Sequence, residues 1–315
     1  MDTLPSPPLA TLPSTVDIRE VGMRDGLQLE APLPLPAKLR LLESIVATGV
    51  RRIEITSFVS PKAVPALADA DMLAAELHRW GGLHFSALVA NLRGAQRAID
   101  AGVPHLEYVV SASDSHSLAN AGRTTAGASD AIGAIGELAH GAEGSLEVII
   151  ATAWDCPFDG RTEESRVLQI VDDAIANGAD QLCIADTIGT VSPTRVLPLL
   201  EAVRARTTLP VGVHFHDTRG TGQANALTAI LSGVTQLDAS IGGLGGCPFA
   251  PGASGNIATE ELLYWLEDAD VGTGIDLDRT VASARLAQDL VGHVLPSSLL
   301  RSGGRPVPLG KYERV

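Results

Sequence analysis

Residues 181–240 read Gln181-Leu-Cys-Ile-Ala185, a Pro- and Leu-rich stretch opening at Ser192, Val211-Gly-Val-His-Phe-His216, an Ala-rich stretch opening near Gly220, and Gln236-Leu-Asp-Ala-Ser240. Short apolar or β-branched runs separated by longer Ala/Leu-rich segments are the pattern of parallel strands joined by helical crossovers. The alternation continues towards the amino terminus. Runs at Asp17 to Val21, Arg52 to Ser57, His84 to Val89, His105 to Ser111 and Leu146 to Thr152 bring the expected strands to eight. Helices are expected to open near Pro36, Pro65, Asn91, Ser129, Glu163, Ser192, Gly220 and Thr259, several with Pro or a capping residue at the start. Eight strands alternating with eight helices fit a (β/α)8 TIM barrel better than an open doubly wound sheet. Residues 277 to 293 read as a further helix, a short helical extension of the barrel. The expected organisation is a flexible arm over residues 1–15, the barrel over 16–300 and a loose tail over 301–315.

Composition narrows the function classes. The chain has 315 residues, 45% hydrophobic, and a net charge of -14, with only 23 basic residues scattered along it. That balance argues against non-specific binding to nucleic acid, which needs clustered Lys and Arg. Cys156, Cys183 and Cys247 are too few and too dispersed for a disulfide framework or a thiolate zinc site, so a reducing cytoplasm is the expected setting. The first 15 residues contain no Lys or Arg and so lack the features of a signal peptide or presequence. No apolar run approaches the roughly 20 residues needed to span a bilayer. A symmetric homodimer is the default expectation for a chain of this class.

Barrel chemistry sits at the carboxyl ends of the strands, and the chemically capable residues fall there. His214 and His216, spaced by two on a strand, point the same way and can reach one ion. Asp25 offers a hard carboxylate from another strand end and Asn256 a neutral carbonyl oxygen, a mixed set suited to Mg2+ or Mn2+. Arg24 would place fixed positive charge where an enolate could form. Glu54, flanked by Ile53 and Ile55, needs a partner if it faces inward, and Arg24 or a metal ligand is the economical one. Cys247 lies in a glycine-rich loop, Gly245-Gly-Cys-Pro-Phe-Ala-Pro-Gly-Ala-Ser-Gly-Asn256, from which a thiol could exchange a proton with a carbanion. Asp186 reads as an acceptor behind a histidine or a metal-bound water, and Asp217 as a group that orients a histidine or, the favoured reading, caps the following helix. His78, His84, His105, His116, His140 and His293 lack comparable company and read as structural or surface groups.

Three separated motifs carry a family resemblance. Glu20-Val-Gly-Met-Arg-Asp-Gly-Leu-Gln28, Glu54-Ile-Thr-Ser-Phe-Val-Ser-Pro-Lys62 and the cysteine loop resemble the 3-hydroxy-3-methylglutaryl-CoA lyases, with similarity from about Val16 to Leu300. The resemblance implies a metal-dependent TIM-barrel lyase of leucine degradation that cleaves 3-hydroxy-3-methylglutaryl-CoA into acetyl-CoA and acetoacetate. It makes Asp25, His214, His216 and Asn256 the divalent-metal ligands, Arg24 the stabiliser of the enolate, Glu54 part of the metal-site network and Cys247 the loop thiol. His214 and Asp25 are also candidates for the base that removes the substrate's hydroxyl proton. The chain departs from the family at two places: Ala31 follows Glu30 where a basic residue is usual, and Ser111 to Thr125 lacks the Lys-Asn pair usual after Ser-Ala-Ser. Both regions are expected to meet the acyl chain and CoA. A related lyase on citramalyl-CoA or a free hydroxy acid is therefore the alternative. An isopropylmalate-type synthase, an aldolase on a 4-hydroxy-2-oxo acid and a non-catalytic barrel are disfavoured, the first two by the cysteine loop and the last by the presence of every matching ligand position.

Overall fold

Eight parallel strands pair side by side and close on themselves in the computed structural model of the protein, which describes residues 12–246 and 255–304. In chain order the strands are β1 (Asp17–Glu20), β2 (Arg52–Phe58), β3 (His84–Val89), β4 (His105–Ser111) and β5 (Ser145–Ala151), then a small hairpin of β6 (Asp155–Cys156) and β7 (Gly160–Arg161), then β8 (Gln181–Asp186), β9 (Val211–Phe215) and β10 (Gln236–Ala239). Around the barrel the order is β1-β10-β9-β8-β5-β4-β3-β2. Each of the eight expected strands is present and ends within about one residue of its expected bounds.

Most crossover helices also begin where the sequence places them. The Asn91 side chain accepts the Gly94 N–H and opens Leu92–Asp100, and Asp217 accepts the Gly222 N–H at 2.7 Å, capping Gly222–Leu231. Two starts differ. Pro65 opens only a single 3-10 turn, Pro65–Leu67, before the helix Ala70–Ala75. Ser129 ends a short helix, Thr125–Ser129, because the Thr124 hydroxyl caps that turn earlier, and the crossover helix then starts at Ile132. The helices Leu277–Val291 and Ser298–Ser302 form the C-terminal extension. Ser14 and Val16 exchange backbone hydrogen bonds with Gly272 at 2.9 and 3.0 Å.

Alternation along the strands divides the apolar core from the barrel interior. Ile18, Leu106, Val148, Leu182, Val213 and Leu237 face outward into the main core beneath the helices. The interior is layered differently. One layer is charged: the Arg19 guanidinium meets Glu107, Glu147 and Asp238 at 2.6–2.8 Å, all four side chains being buried. Two residues beyond Glu107 and Glu147, Val109 and Ile149 pack with Leu88, Cys183 and Ala185 as a thin apolar layer. Towards the amino-terminal end a polar cavity of about 310 Å3 is lined by Asp17, Arg52, His84, His105, Gln181 and Gln236, among others.

The His84 and His105 rings stand 4.0 Å apart at that cavity. Burial, then the neighbouring His105 and Arg52, push His84 from 6.5 down to about 4, and burial lowers His105 as well. Within that window the unfolded chain binds more protons than the folded one, so the His84 contribution is intact above pH 6.5 and is lost as pH falls towards 4. His84→Asn is expected to flatten the acid limb of stability, measured as the urea midpoint at successive pH values. A variant whose midpoints fall in parallel with the parent's would refute this assignment.

Candidate active site

The carboxyl ends of β3, β4, β5, β8 and β9 and the segments that follow β1 and β10 meet around one cavity. Arg24 and Asp25 sit in the helical turn Gly22–Gly26 directly after β1. That turn is tied down by Glu20, whose carboxylate accepts the N–H of Gly22 at 2.8 Å, the N–H of Ile241 at 2.9 Å and the Thr259 hydroxyl at 2.6 Å. One buried acid thus fixes the segments that follow β1 and β10 to each other. Burial pushes its pKa up to about 7, while those donors oppose the rise.

His214 lies in β9 and His216 just beyond it, where His216 forms an isolated bridge with Asn256. Their Nε2 atoms are 3.4 Å apart, with the rings in a T-shaped arrangement. Each Nδ1 faces an acceptor: Asp238 Oδ2 at 3.0 Å from His214 and the Thr187 carbonyl oxygen at 2.7 Å from His216. Those partners assign the ring proton to Nδ1 in both residues. The two Nε2 atoms face one another, an arrangement that calls for a proton on one of them or a cation between them.

The remaining groups supply the rest of a cation site. Asp25, His214 and His216 each offer a ligand atom within 4.8 Å of the others, and all three are buried. Asp25 Oδ1 accepts from Arg24 Nη1 at 2.6 Å and Gln28 Nε2 at 2.8 Å; Oδ2 accepts from Asn256 Nδ2 at 2.7 Å and is 3.6 Å from His216 Nε2. Burial works against the Asp25 carboxylate, but Arg24 and the two histidines outweigh it and hold its pKa well below the usual range. For His216 burial acts in the lowering direction, and Asp25 and Asp186 overcome it, so its pKa is raised. The same negative field favours a metal cation. Asn256 Nδ2 donates to Asp25 and to the Leu244 carbonyl oxygen, which fixes the amide orientation and leaves Oδ1 buried with no protein partner. Two imidazole nitrogens, a carboxylate and an unsatisfied amide oxygen fit a divalent cation such as Mg2+ or Mn2+.

Arg24 links this set to the barrel interior. Its Nε stands 2.5 Å from Glu54 Oε1, an ionic contact in which the N–H is not aligned on the oxygen. Burial raises the Glu54 pKa well above the usual range; Arg24 opposes the rise and Glu107 adds to it. Arg24 is held charged because Glu54 and Asp25 outweigh its own burial. The guanidinium sits on the wall of a cavity of about 160 Å3 that Asp25, His214 and His216 also line.

Three of the sequence expectations need correction or completion. Asp186 is not the acceptor on His216: its carboxylate takes the Thr190 and Val191 N–H groups at 3.2 and 3.1 Å and shapes the loop after β8. His116, read as structural, is on the cavity wall beside Asn120 and Gln28. Its Nδ1 is 3.0 Å from Ser111 Oγ, and burial pushes its pKa down to about 4, so the ring is neutral at pH 7. The signal available was its place just after the carboxyl end of β4. Cys247 lies outside the described residues. Gly246, immediately before it, lines the cavity.

A buried donor set of this kind at the carboxyl end of a (β/α)8 barrel is a candidate metal site where such barrels carry their chemistry. A family model described as HMGL-like matches residues 15–287. The hydroxymethylglutaryl-CoA lyase YngG of Bacillus subtilis is 38% identical over 291 residues, covering 92% of this chain and 97% of that one. An (R)-citramalyl-CoA lyase of Chloroflexus aurantiacus is 39% identical over 300 residues, with 91% and 95% coverage. The solved structure of an HMG-CoA lyase from A. baumannii, in complex with coenzyme A and 3-methylmalate, superposes with a TM-score of 0.89 at 38% identity, covering 94% of this chain and 98% of that one. The chain belongs to the HMGL-like family and is a carbon-carbon lyase.

Gly245 gives the site a direct test. Its φ is +123°, and a Cβ there would stand 2.5 Å from Asn256 Nδ2 and 3.2 Å from Asp25 Oδ2. Gly245→Ala is expected to displace the Asn256 amide and weaken Mn2+ binding roughly 10-fold or more, with the far-UV circular dichroism unchanged. Calorimetric titration with Mn2+ measures it, and an unaltered affinity would mean that Asn256 contributes nothing to the ion.

Proposed function

We propose that the protein cleaves 3-hydroxy-3-methylglutaryl-CoA to acetyl-CoA and acetoacetate, using Mg2+ or Mn2+ held by Asp25, His214, His216 and Asn256. The observation that carries this reading is the pair of facing Nε2 atoms next to an orphaned amide oxygen, with the Arg24 guanidinium on the same cavity. A divalent cation bound there supplies positive charge that lowers the pKa of a substrate hydroxyl and polarises a carboxylate oxygen.

The chain's own groups divide the remaining work. Both imidazoles have their Nδ1 atoms committed to acceptors and their Nε2 atoms turned to the ligand set, and the hydroxyl proton passes to a base of this set, Asp25, a histidine or a water held beside them. As that oxygen becomes a ketone, the carbon-carbon bond breaks and its electron pair passes to the acetyl thioester as an enolate. Arg24, fixed by Glu54 and Asp25, holds that charge without reorganising. The thiol of Cys247, or a water, returns a proton to carbon and completes acetyl-CoA. Leu88, Val109, Ile149 and Ala185 form the apolar side of the cavity and suit the methyl branch of a tertiary carbinol. His116 and Asn120 stand where the sequence departs from its relatives and are assigned to the acyl chain. The setting we infer is a cytoplasmic homodimer acting in leucine degradation; among the described residues no helix is long and apolar enough to cross a membrane.

Citramalyl-CoA is the second reading. It shares the methyl-bearing carbinol and the acetyl-CoA half, and a citramalyl-CoA lyase is among the similar proteins. Purified protein is expected to release acetyl-CoA from 3-hydroxy-3-methylglutaryl-CoA with Mn2+ or Mg2+, to lose activity on chelation, and to prefer that substrate over citramalyl-CoA. Arg24→Met is expected to lower kcat by about 10²–10³ or more with little change in KM. Preference for citramalyl-CoA would move the assignment to the second reading, and cleavage that survives both chelation and Arg24→Met would end the mechanism proposed here.

A further inference from the structure

We propose that Arg19, which lies outside the cavity, is the positioning residue for the ligand set, acting on His214 through Asp238. The inference rests on the metal-centre reading given above. Register places the three residues side by side on consecutive strands: Arg19 pairs with Asp238 between β1 and β10, and Asp238 pairs with His214 between β10 and β9.

The contacts follow from that register. Arg19 Nε donates to Asp238 Oδ1 and Nη2 to Oδ2, both at 2.8 Å, a two-point grip that fixes the plane of the carboxylate. The Oδ2 atom so held is the one 3.0 Å from His214 Nδ1. The other donors of Arg19 are committed as well, to Glu147 Oε2 at 3.1 Å and Oε1 at 2.8 Å and to Glu107 Oε1 at 2.6 Å. The guanidinium thus makes four hydrogen bonds to Asp238 and Glu147 and an ionic contact with Glu107, a fork that a Lys could not reproduce.

A carboxylate fixed in this way sets both the tautomer and the angle of the imidazole whose N–H it accepts. His216 has a backbone carbonyl in the same role, Thr187 O, and that acceptor depends on no side chain. The His214 arm is therefore the half of the pair that a distant side chain controls. A purely structural Arg19 would neutralise Glu107, Glu147 and Asp238 and leave His214 indifferent to its loss.

The test separates these roles. Arg19→Met alone strands three buried carboxylates and can fail to fold, so the informative protein is Arg19→Met combined with Glu107→Gln and Glu147→Gln. It is expected to stay folded by circular dichroism, to bind Mn2+ roughly 10- to 100-fold more weakly, and to show a mixture of His214 ring tautomers by 15N NMR of the metal-free protein. Arg19→Lys is expected to fall between it and the parent. If the triple variant does not fold, Asp238→Asn carries the same two readouts. A folded variant that keeps the Nδ1–H tautomer and binds Mn2+ within about twofold of the parent would overturn the proposal. Failure of the parent itself to bind Mn2+ would overturn the metal-centre reading, while the ring tautomer would still decide the role of Arg19.

Discussion

Two imidazole nitrogens 3.4 Å apart, each with its opposite ring nitrogen tied to an acceptor, set the terms for the rest of the molecule. Such a pair calls for a proton or a cation on the Nε2 side and for negative charge close by, and the barrel places a carboxylate there. Asp25 reaches in from the turn after β1 with Oδ2 beside His216 Nε2, and Asn256, which bridges His216, is held by hydrogen bonds from Nδ2 that leave its Oδ1 without a protein partner. The close approach of Gly245 to Asn256 and Asp25, where no Cβ would fit, belongs to the same arrangement.

Keeping that geometry requires charge deep in the barrel. Many barrels fill the interior with layers of branched aliphatic side chains. Here one layer is Arg19 among Glu107, Glu147 and Asp238, and a thin apolar layer separates it from the catalytic mouth on one side only. Breaking a buried pair of this kind typically costs about 3–5 kcal/mol, because the surviving charge has no water to turn to. The acids are unequal. Asp238, although buried, is held well below the usual carboxylate range chiefly by Arg19 and His214, whereas burial, only partly offset by Arg19, pushes Glu147 up to about 7. Of these two, the carboxylate held ionised is the one that touches a metal-ligand candidate.

The barrel was legible because its signal is periodic and local: eight runs of the right length, separated by segments able to form helices. His214 and His216 were legible for the same reason, since spacing by two on a strand puts both rings on one side. Asp25, Asn256 and Arg24 could be named from motifs and strand ends, yet their mutual contacts could not, because these depend on loops folding back across the mouth. The charged layer was overlooked although its trace is in the sequence: Ile18-Arg19, Leu106-Glu107, Leu146-Glu147 and Leu237-Asp238 each set one ionisable residue inside an otherwise apolar strand. Which of them share a partner is a matter of register, which a single strand does not reveal. Asp186 shows the complementary error. An acid at a strand end reads as an acceptor for a histidine or a metal-bound water, and the histidine half fails because His216 faces the Thr187 carbonyl oxygen while Asp186 takes two backbone N–H groups of its own loop. His116 had no neighbours in the sequence to mark it, and only the path of the chain after β4 brings it to the cavity.

The most direct measurement is a crystal structure of the Mn2+-soaked protein with anomalous scattering recorded at the manganese edge. The account requires one strong peak within coordination distance of His214 Nε2, His216 Nε2, an Asp25 carboxylate oxygen and Asn256 Oδ1. A peak elsewhere, or one that Asn256 Oδ1 and the two Nε2 atoms do not touch, would contradict it.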